Sequence, residues 1–173
     1  MFDALILAGG ENSKDLRRFS SQSYEALIEI HGKPMVSFVA EALANSPWVD
    51  RIFVVGPAKE LAYCDFPERT VVIEGRRTIM DTIQTGMNAL GHCRKVLVAT
   101  SDIPLLTAAA VNDFVSQCRQ VEADLYYPII VKEVIETRYP GNKRTYVRLK
   151  EGVFTGGNLF MVNPAIVPQC MKV

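Results

Sequence analysis

Ala4-Leu5-Ile6-Leu7-Ala8-Gly9-Gly10 is an unbroken apolar run that stops at a glycine pair. A strand with one face in water alternates polar and apolar residues. One that is apolar throughout belongs in a sheet covered on both faces. Three more runs share this character: Ile52-Phe53-Val54-Val55 before Gly56-Pro57, Thr70-Val71-Val72-Ile73, and Val96-Leu97-Val98-Ala99. Segments of helical period lie between and after them. Pro34 suits the first position of a helix carrying Met35, Val39, Ala42 and Leu43. Thr78 is placed to cap a helix with Ile79, Ile83, Met87 and Leu90 on one face, and Asp81 in its first turn favours the positive helix end. Thr107 is placed to cap another, with Val111, Phe114, Val115 and Cys118. Strand and helix in alternation predict βαβ units: an α/β fold with a mainly parallel sheet and helices on both faces.

The last third reads differently. Residues Asp124–Val131, Tyr146–Leu149 and Val153–Val162 are strand-like, with Glu151-Gly152 suggesting a hairpin rather than a crossover. A short helical segment follows Pro164, and Val173 comes without a cap.

The 173 residues have the length of one domain, 1–173, with a hydrophobic fraction of 49% and a charged fraction of 22% that exclude overall disorder. Nineteen basic and nineteen acidic side chains cancel, which argues against neutralising nucleic-acid phosphates or a membrane surface as the main task. Cys64, Cys93, Cys118 and Cys170 show no paired spacing, and with only His31 and His92 they do not make a zinc site. Asp3 and the glycine pair cut the first apolar run too short for a signal peptide, and no stretch nears the roughly 20 apolar residues of a membrane span. The expectation is a cytoplasmic protein with reduced thiols.

Ligands of open parallel sheets bind beyond the carboxyl ends of the strands, and three segments fall there. Gly9-Gly10-Glu11-Asn12-Ser13-Lys14 combines glycines, whose amides approach an oxyanion closely, with a locally basic stretch of Lys14, Arg17 and Arg18. It is neither GxGxxG nor GxxxxGK[ST], and a plain strand-to-loop turn accounts for it equally well. Thr100-Ser101-Asp102-Ile103-Pro104-Leu105 offers a carboxylate for a hard divalent cation, or simply an aspartate in a turn before proline. Thr155-Gly156-Gly157-Asn158 marks a bulge or a close ligand approach, with Lys143, Arg144 and Arg148 nearby to hold an acidic acceptor; a solvated charged hairpin is the alternative.

Together these segments resemble the nucleotidyltransferases of the glycosyltransferase-A-like fold, the superfamily of molybdenum cofactor guanylyltransferase and the sugar-phosphate nucleotidyltransferases. The resemblance rests on Leu7-Ala8-Gly9-Gly10, Ala26-Leu27, Gly32-Lys33-Pro34-Met35 and Ser101-Asp102-Ile103-Pro104-Leu105-Leu106-Thr107, in the family's order over most of the chain. It implies a three-layer α/β/α sandwich with a mixed, mostly parallel sheet. It implies a nucleoside triphosphate held by Leu7, Ala8, Gly9, Gly10, Glu11, Asn12, Ser13, Arg17 and Arg18, with Arg76, Arg77, Thr78, Asp81 and Ser101 toward the base and ribose. Lys14 stands where the family has its phosphate-binding arginine, and Asp102 matches the aspartate that binds Mg²⁺; these two carry the catalytic assignment. Lys143, Arg144, Gly156, Gly157 and Asn158 then face a small phosphorylated acceptor.

Two departures stand out. Where the family has Asp-Lys-Ala-Leu, this chain has Tyr24-Glu25-Ala26-Leu27, so an acid replaces a phosphate-neutralising lysine and Arg17 or Arg18 is expected to supply the cation. The family's late aspartate, which helps complete the metal site, has no counterpart before Val173, so the expectation is an N-terminal portion of a longer protein. The implied reaction is attack of an acceptor oxygen on the α-phosphorus of an NTP with release of pyrophosphate. The rival readings are a non-catalytic nucleotide-binding or regulatory module of the same fold and a nucleotide-sugar glycosyltransferase. The latter typically wants a D-x-D motif, which Asp102-Ile103-Pro104 lacks.

Overall fold

Strand β1 (Phe2–Leu7) divides its apolar run between two layers, with Ala4 and Ile6 fully buried on one side of the sheet and Leu5 on the other. A computed structural model describes residues 1–13, 15–76, 78–91, 93–142 and 144–170, without the side chains of Ile79 and Cys170. In chain order β1 is followed by β2 (Glu29–Ile30), β3 (Lys33–Pro34), α1 (Met35–Ala44), β4 (Val49–Gly56), α2 (Ala58–Leu61) and β5 (Thr70–Glu74). Next come α3 (Ile79–Ala89), β6 (Val96–Thr100), α4 (Ala108–Cys118), β7 (Leu125–Tyr126), β8 (Ile129–Val131) and α5 (Lys132–Arg138). The chain continues through β9 (Val147–Leu149), β10 (Gly152–Gly156), β11 (Leu159–Val162) and α6 (Val167–Cys170).

The main sheet has six strands in the order β5-β4-β1-β6-β11-β7. Strands β5, β4, β1 and β6 run parallel, and β11 enters antiparallel between β6 and β7. Helices α1 and α4 cover one face through Val36, Val39, Ala40, Leu43, Val111, Val115 and Cys118. Met87 and Leu90 at the end of α3, with Val167 of α6, cover the other. This is the expected three-layer sandwich with a mixed, mostly parallel sheet. Both expected caps form: the Thr78 hydroxyl accepts the Asp81 N–H at 3.1 Å and the Thr107 hydroxyl accepts that of Ala110 at 3.2 Å. Among the described residues no helix is long and apolar enough to cross a membrane.

The structure corrects the sequence reading in four places. Pro34 precedes α1 as its N-cap with ψ 141°, because it pairs with Glu29 across a tight ribbon turned by His31 and Gly32, at φ 52° and 78°. Residues 124–131 are not one strand: β7 belongs to the main sheet and β8 to a separate three-stranded sheet, β8-β10-β9. Pro128, at the break, has no N–H to give a ladder. The run 153–162 likewise divides at Gly157-Asn158 into β10 and β11. Helix α5 was not foreseen, since Ile135 is its one buried side chain and it shows no apolar stripe. The β9–β10 pair is the expected hairpin, antiparallel with Gly152 opposite Leu149.

The two segments that leave the main sheet for the small one run side by side. Gly157 N–H donates to Pro128 C=O at 2.9 Å. A Cβ on Gly156 would lie 2.7 Å from ring atoms of Tyr127, and one on Gly157 would lie 2.8 Å from Pro128 Cγ. These glycines are therefore explained by chain packing, not by a ligand's approach.

Gly56 is a similar close approach at the carboxyl end of β4, where a Cβ would come within 2.8 Å of the Ala8 carbonyl. A strand ordinarily gains about 0.5–1 kcal/mol on Gly→Ala, whereas forcing atoms into a packed site costs about 1–3 kcal/mol. The obstacle here is backbone, so the cost prevails. Gly56→Ala is expected to destabilise the fold by about 1–2 kcal/mol, read as a lower urea midpoint; an unchanged or higher midpoint would contradict the packing argument.

Candidate functional site

Strands β1 and β6 end in register, Leu7 beside Thr100, so the loops that follow start from adjacent points. Main-chain bonds hold both starts: Ala8 N–H donates to Val55 C=O at 2.8 Å and Ser101 N–H to Leu7 C=O at 3.2 Å. Between the loops lies a cavity of about 200 Å³. Leu7, Gly9 and Gly10 line it from the first loop, Thr100, Ser101 and Asp102 from the second. Arg76, Thr78 and Thr82 enter from the start of α3, and Glu25 closes the remaining side.

The glycine loop is braced from behind. Gly10 C=O accepts Glu25 N–H at 3.0 Å, and Asn12 N–H reaches Ser23 C=O at 2.8 Å. The Asn12 side chain, buried, donates to the carbonyls of Gln22 and Ser20 at 2.8 and 3.2 Å. No hydrogen bond among the described residues engages the N–H of Gly9 or Gly10. Gly10 has no left-handed φ, and a Cβ there would meet nothing within 4 Å. Neither backbone geometry nor packing explains that glycine, which leaves open room beside free amides, the arrangement an oxyanion needs.

Arg76 is positioned by Thr82, whose buried hydroxyl accepts Arg76 N–H at 3.0 Å and donates to Arg76 C=O at 3.1 Å. Among the described residues Asp102 is fixed on one oxygen. Its Oδ1 accepts from the Thr100 hydroxyl at 2.5 Å and from Asn158 Nδ2 at 3.2 Å, while no hydrogen bond among the described residues engages Oδ2. Asn158 Nδ2 also reaches Thr100 Oγ1 at 2.9 Å. Arg144 completes the chain of contacts, donating to Gly156 C=O at 3.0 Å, Thr155 Oγ1 at 3.2 Å and Asn158 Oδ1 at 3.4 Å.

A second cavity of about 600 Å³ opens on the other side of Asp102, toward the small sheet, and includes Arg144, Gly156, Gly157 and Asn158. Asp102 is in the wall of both cavities. A third space, also about 600 Å³, lies at the opposite ends of β1 and β6. There Asp3 is paired with Arg51 at 2.6 Å, which raises the guanidinium's pKa, and Lys95 is paired with Glu122 at 2.9 Å.

Of the nucleotide-binding residues expected from sequence, Leu7, Gly9, Gly10, Arg76, Thr78 and Ser101 come together, beside Asp102, the expected metal ligand. Others do not line the cavity. Ala8 is fully buried behind the loop, and Glu11 pairs with Tyr24 in an isolated bridge. Asn12 is the loop brace, and Ser13 N–H donates to Glu25 Oε1 at 3.3 Å. The Asp81 carboxylate accepts from the Thr78 hydroxyl at 2.7 Å and so belongs to the cap. Arg17 and Arg18, expected to replace the missing lysine, are elsewhere. Arg17 Nε turns back to Asn12 C=O at 3.0 Å, and exposed Arg18 ends a short 3₁₀ turn. The loop turns on itself here, with Arg17 N–H donating to Ser13 C=O at 3.0 Å and Ser20 N–H to Leu16 C=O at 3.1 Å. Lys14, Arg77 and Lys143 lie outside the described residues. Arg148 alternates with Val147 and Leu149 and so takes the face of β9 away from the second cavity.

Sequence reading missed Thr82 and gave Thr100, within its Thr100–Leu105 segment, no role of its own. Thr82 is one turn beyond Thr78 on the same helix face, a spacing that could have revealed it. Thr100 is marked only by being the last residue before Ser101-Asp102.

The charge balance of the first cavity follows from this placement. Among the described residues its lining carries two carboxylates, Glu25 and Asp102, against one cation, Arg76. Among the described residues there is no cluster of three His, Cys, Asp or Glu able to hold a metal alone. One or two carboxylates beside room for phosphates is nonetheless the donor set Mg²⁺ uses, since it keeps water and shares substrate oxygens.

The mixed, mostly parallel sheet, with a glycine loop and an aspartate at adjoining strand ends, has the architecture of a nucleotidyltransferase fold. Residues 4–151 match the MobA-like NTP transferase domain, and the chain belongs to that family. It is 26% identical over 128 residues to 2-C-methyl-D-erythritol 4-phosphate cytidylyltransferase of Clostridium perfringens, covering 69% of this chain and 55% of that protein. It is 31% identical over 119 residues to bifunctional protein GlmU of Acidithiobacillus ferrooxidans, covering 66% of this chain and 25% of that protein. The chain thus spans about half or less of the length of these curated relatives. A hypothetical transferase from Thermus thermophilus has a similar structure, with TM-score 0.81 and 34% identity, covering 99% of this chain and 71% of that one.

Because Gly10 meets no neighbour, Gly10→Ala is expected to leave stability within about 0.5 kcal/mol of the parent. A nucleotide phosphate bound at the Gly9 and Gly10 amides would meet the added methyl group, so on that assignment the change should weaken nucleotide binding at least about tenfold, roughly 1.4 kcal/mol. Urea denaturation and a nucleotide titration separate the two effects; loss of stability with intact binding would assign the glycine to packing.

Proposed function

We propose that this domain transfers a nucleoside monophosphate from an NTP to a small phosphorylated acceptor, releasing pyrophosphate, with Mg²⁺ as cofactor. The observation that carries this reading is Asp102, in the wall common to two cavities, one beside the free amides of the glycine loop and one beside Arg144. A group transfer needs two substrates to meet at one point, and a single-ligand sensor needs only one of these spaces.

In this reading the N–H groups of Gly9 and Gly10 receive phosphate oxygens, and Arg76 and Thr78 hold the nucleotide from the α3 side. Asp102 through Oδ2, with Glu25 of the same cavity lining, would hold Mg²⁺, which supplies charge neutralisation on the phosphates when bound. Arg144 and Asn158 orient the acceptor. An acceptor phosphate oxygen forms a bond to the α-phosphorus as the bond from that phosphorus to the β-phosphate oxygen breaks, and pyrophosphate leaves with the electron pair. A phosphate nucleophile is already ionised, so no general base is required of the chain. The rate then rests on positioning and on neutralising charge.

Glu25 gives the non-catalytic module a specific observation in its favour, because a carboxylate facing phosphates repels them unless a cation intervenes. The two readings part on turnover. Each NTP with Mg²⁺ is to be tested for thermal stabilisation, since a ligand of the native state raises the apparent Tm. Pyrophosphate release is then followed with a panel of acceptor phosphates. Asp102→Asn is expected to lower kcat/KM on the order of a hundredfold. Nucleotide binding with no pyrophosphate from any acceptor would favour the module, and no stabilisation by any NTP would sink both.

Glu25→Lys exchanges a repelling charge for an attracting one. It is expected to tighten NTP binding in the absence of divalent cation at least about tenfold, as opposite charges a few ångströms apart in a partly enclosed site attract by a few kcal/mol. Unchanged cation-free affinity would show that Glu25 does not face the phosphates.

A further inference from the structure

The cavity on the acceptor side is amphipathic, with its polar groups gathered at one end. Asp102, Arg144, Thr155 and Asn158 lie where the chain crosses from β10 to β11, and Thr145, also in the lining, follows Arg144 directly. Beyond them the wall is the outer face of the small sheet: Ile129, Val147, Leu149 and Phe154, joined by Tyr127. Register places these on one face, since Phe154 pairs with Val147 on one side and Val131 on the other, and Gly152 pairs with Leu149. Helix α5 packs against β8 and β10 of the same sheet, with Ile135 buried. Tyr127, Ile129, Val147 and Leu149 are nevertheless 44–58% exposed. From Gly156 beside the polar end to Gly152 at the hairpin, this apolar wall runs about 13 Å along β10.

A bare sugar phosphate presents hydroxyl groups along its whole length and would find hydrogen-bonding partners only at the Asp102 end. Grouped apolar side chains left to water in a concave space of ligand size mark a recognition surface. On the basis of the transfer reading, which names an acceptor only as a small phosphate, we infer that the acceptor has an anionic head and an apolar body, alkyl or aromatic. The head lies against Arg144 and Asn158 within reach of the α-phosphorus, and the body lies along the outer face of β8-β10-β9. The occupant is a small molecule because the apolar surface is continuous with the cavity that contains Asp102 and the one cation in its described lining stands at that same end.

The test uses the 173-residue chain. With the NTP giving the largest thermal shift present as a non-hydrolysable analogue with Mg²⁺, three probes are titrated by calorimetry: glycerol 3-phosphate, hexyl phosphate and 1-naphthyl phosphate. Burying one methylene strengthens binding about fourfold, so hexyl or naphthyl phosphate is expected to bind at least tenfold more tightly than glycerol 3-phosphate. Whichever of the two is preferred identifies the body as alkyl or aromatic. The double variant Val147→Ser/Leu149→Ser, whose sites are on the surface, should keep the parent's urea midpoint and lose most of that preference.

Equal or weaker binding of both apolar probes overturns the inference, as does a preference that survives in the double variant. Light scattering provides a further arm: a dimer that the variant breaks would assign this face to a second copy of the chain and overturn it too. If no NTP stabilises the protein, the titrations are run without nucleotide. A retained apolar preference then supports the amphipathic pocket while the transfer reading falls.

Discussion

The Asn158 side chain ties the end of the β6–β11 ladder, where Thr100 N–H donates to Asn158 C=O at 3.0 Å, to the loop that carries Asp102. Its amide nitrogen reaches Thr100 Oγ1 at 2.9 Å and Asp102 Oδ1 at 3.2 Å, and its oxygen receives Arg144 at 3.4 Å. A carboxylate on a loop after a strand is ordinarily free to swing. Here one oxygen is taken by two donors, so the other has a defined direction. The bridge exists only because the chain crosses between sheets next to β6, and that crossing needs Gly156 and Gly157 to pass Tyr127 and Pro128. The position of Asp102 between two cavities thus rests on the packing of four residues remote from it in sequence.

Electrostatics gives the first cavity its second constraint. Glu25 and Asp102 both line it and Arg76 alone opposes them among the described residues, so a polyanion meets an unfavourable balance unless a cation accompanies it. Glu25 also takes the Ser13 amide of the glycine loop at 3.3 Å. One carboxylate therefore shapes the loop and sets the charge that any phosphate must overcome. A lysine there could neutralise phosphate but could not accept that N–H.

The parallel core was legible in sequence because it depends on period and length. Runs such as Ala4–Leu7 and Val96–Ala99 are apolar on both faces, and Thr78 and Thr107 announce helices that begin where expected. The site was legible in part for the same reason: Gly9, Gly10, Ser101 and Asp102 sit at strand ends, and strand ends are set by local pattern. The small sheet was not. Residues 124–131 and 153–162 look like single strands, and only the meeting of Tyr127-Pro128 with Gly156-Gly157 breaks each in two. Arg17 shows the same limit from the other direction, since its charge suited phosphate but its loop turned it back to Asn12 C=O.

By itself the sequence determined the alternation of strands and capped helices, the glycine pair and aspartate at neighbouring strand ends, and the membership of a family whose fold those motifs carry. These follow from interactions a few residues apart, with spacings that helix and strand periods dictate. Only the tertiary structure decided which charges face the cavity, that Thr82 and Thr100 belong to it, and that Asp102 has a second cavity behind it with an apolar wall. Those depend on contacts between residues tens of positions apart, such as Asn158 with Thr100 and Gly157 with Pro128. No local period encodes such contacts; they arise from how layers pack.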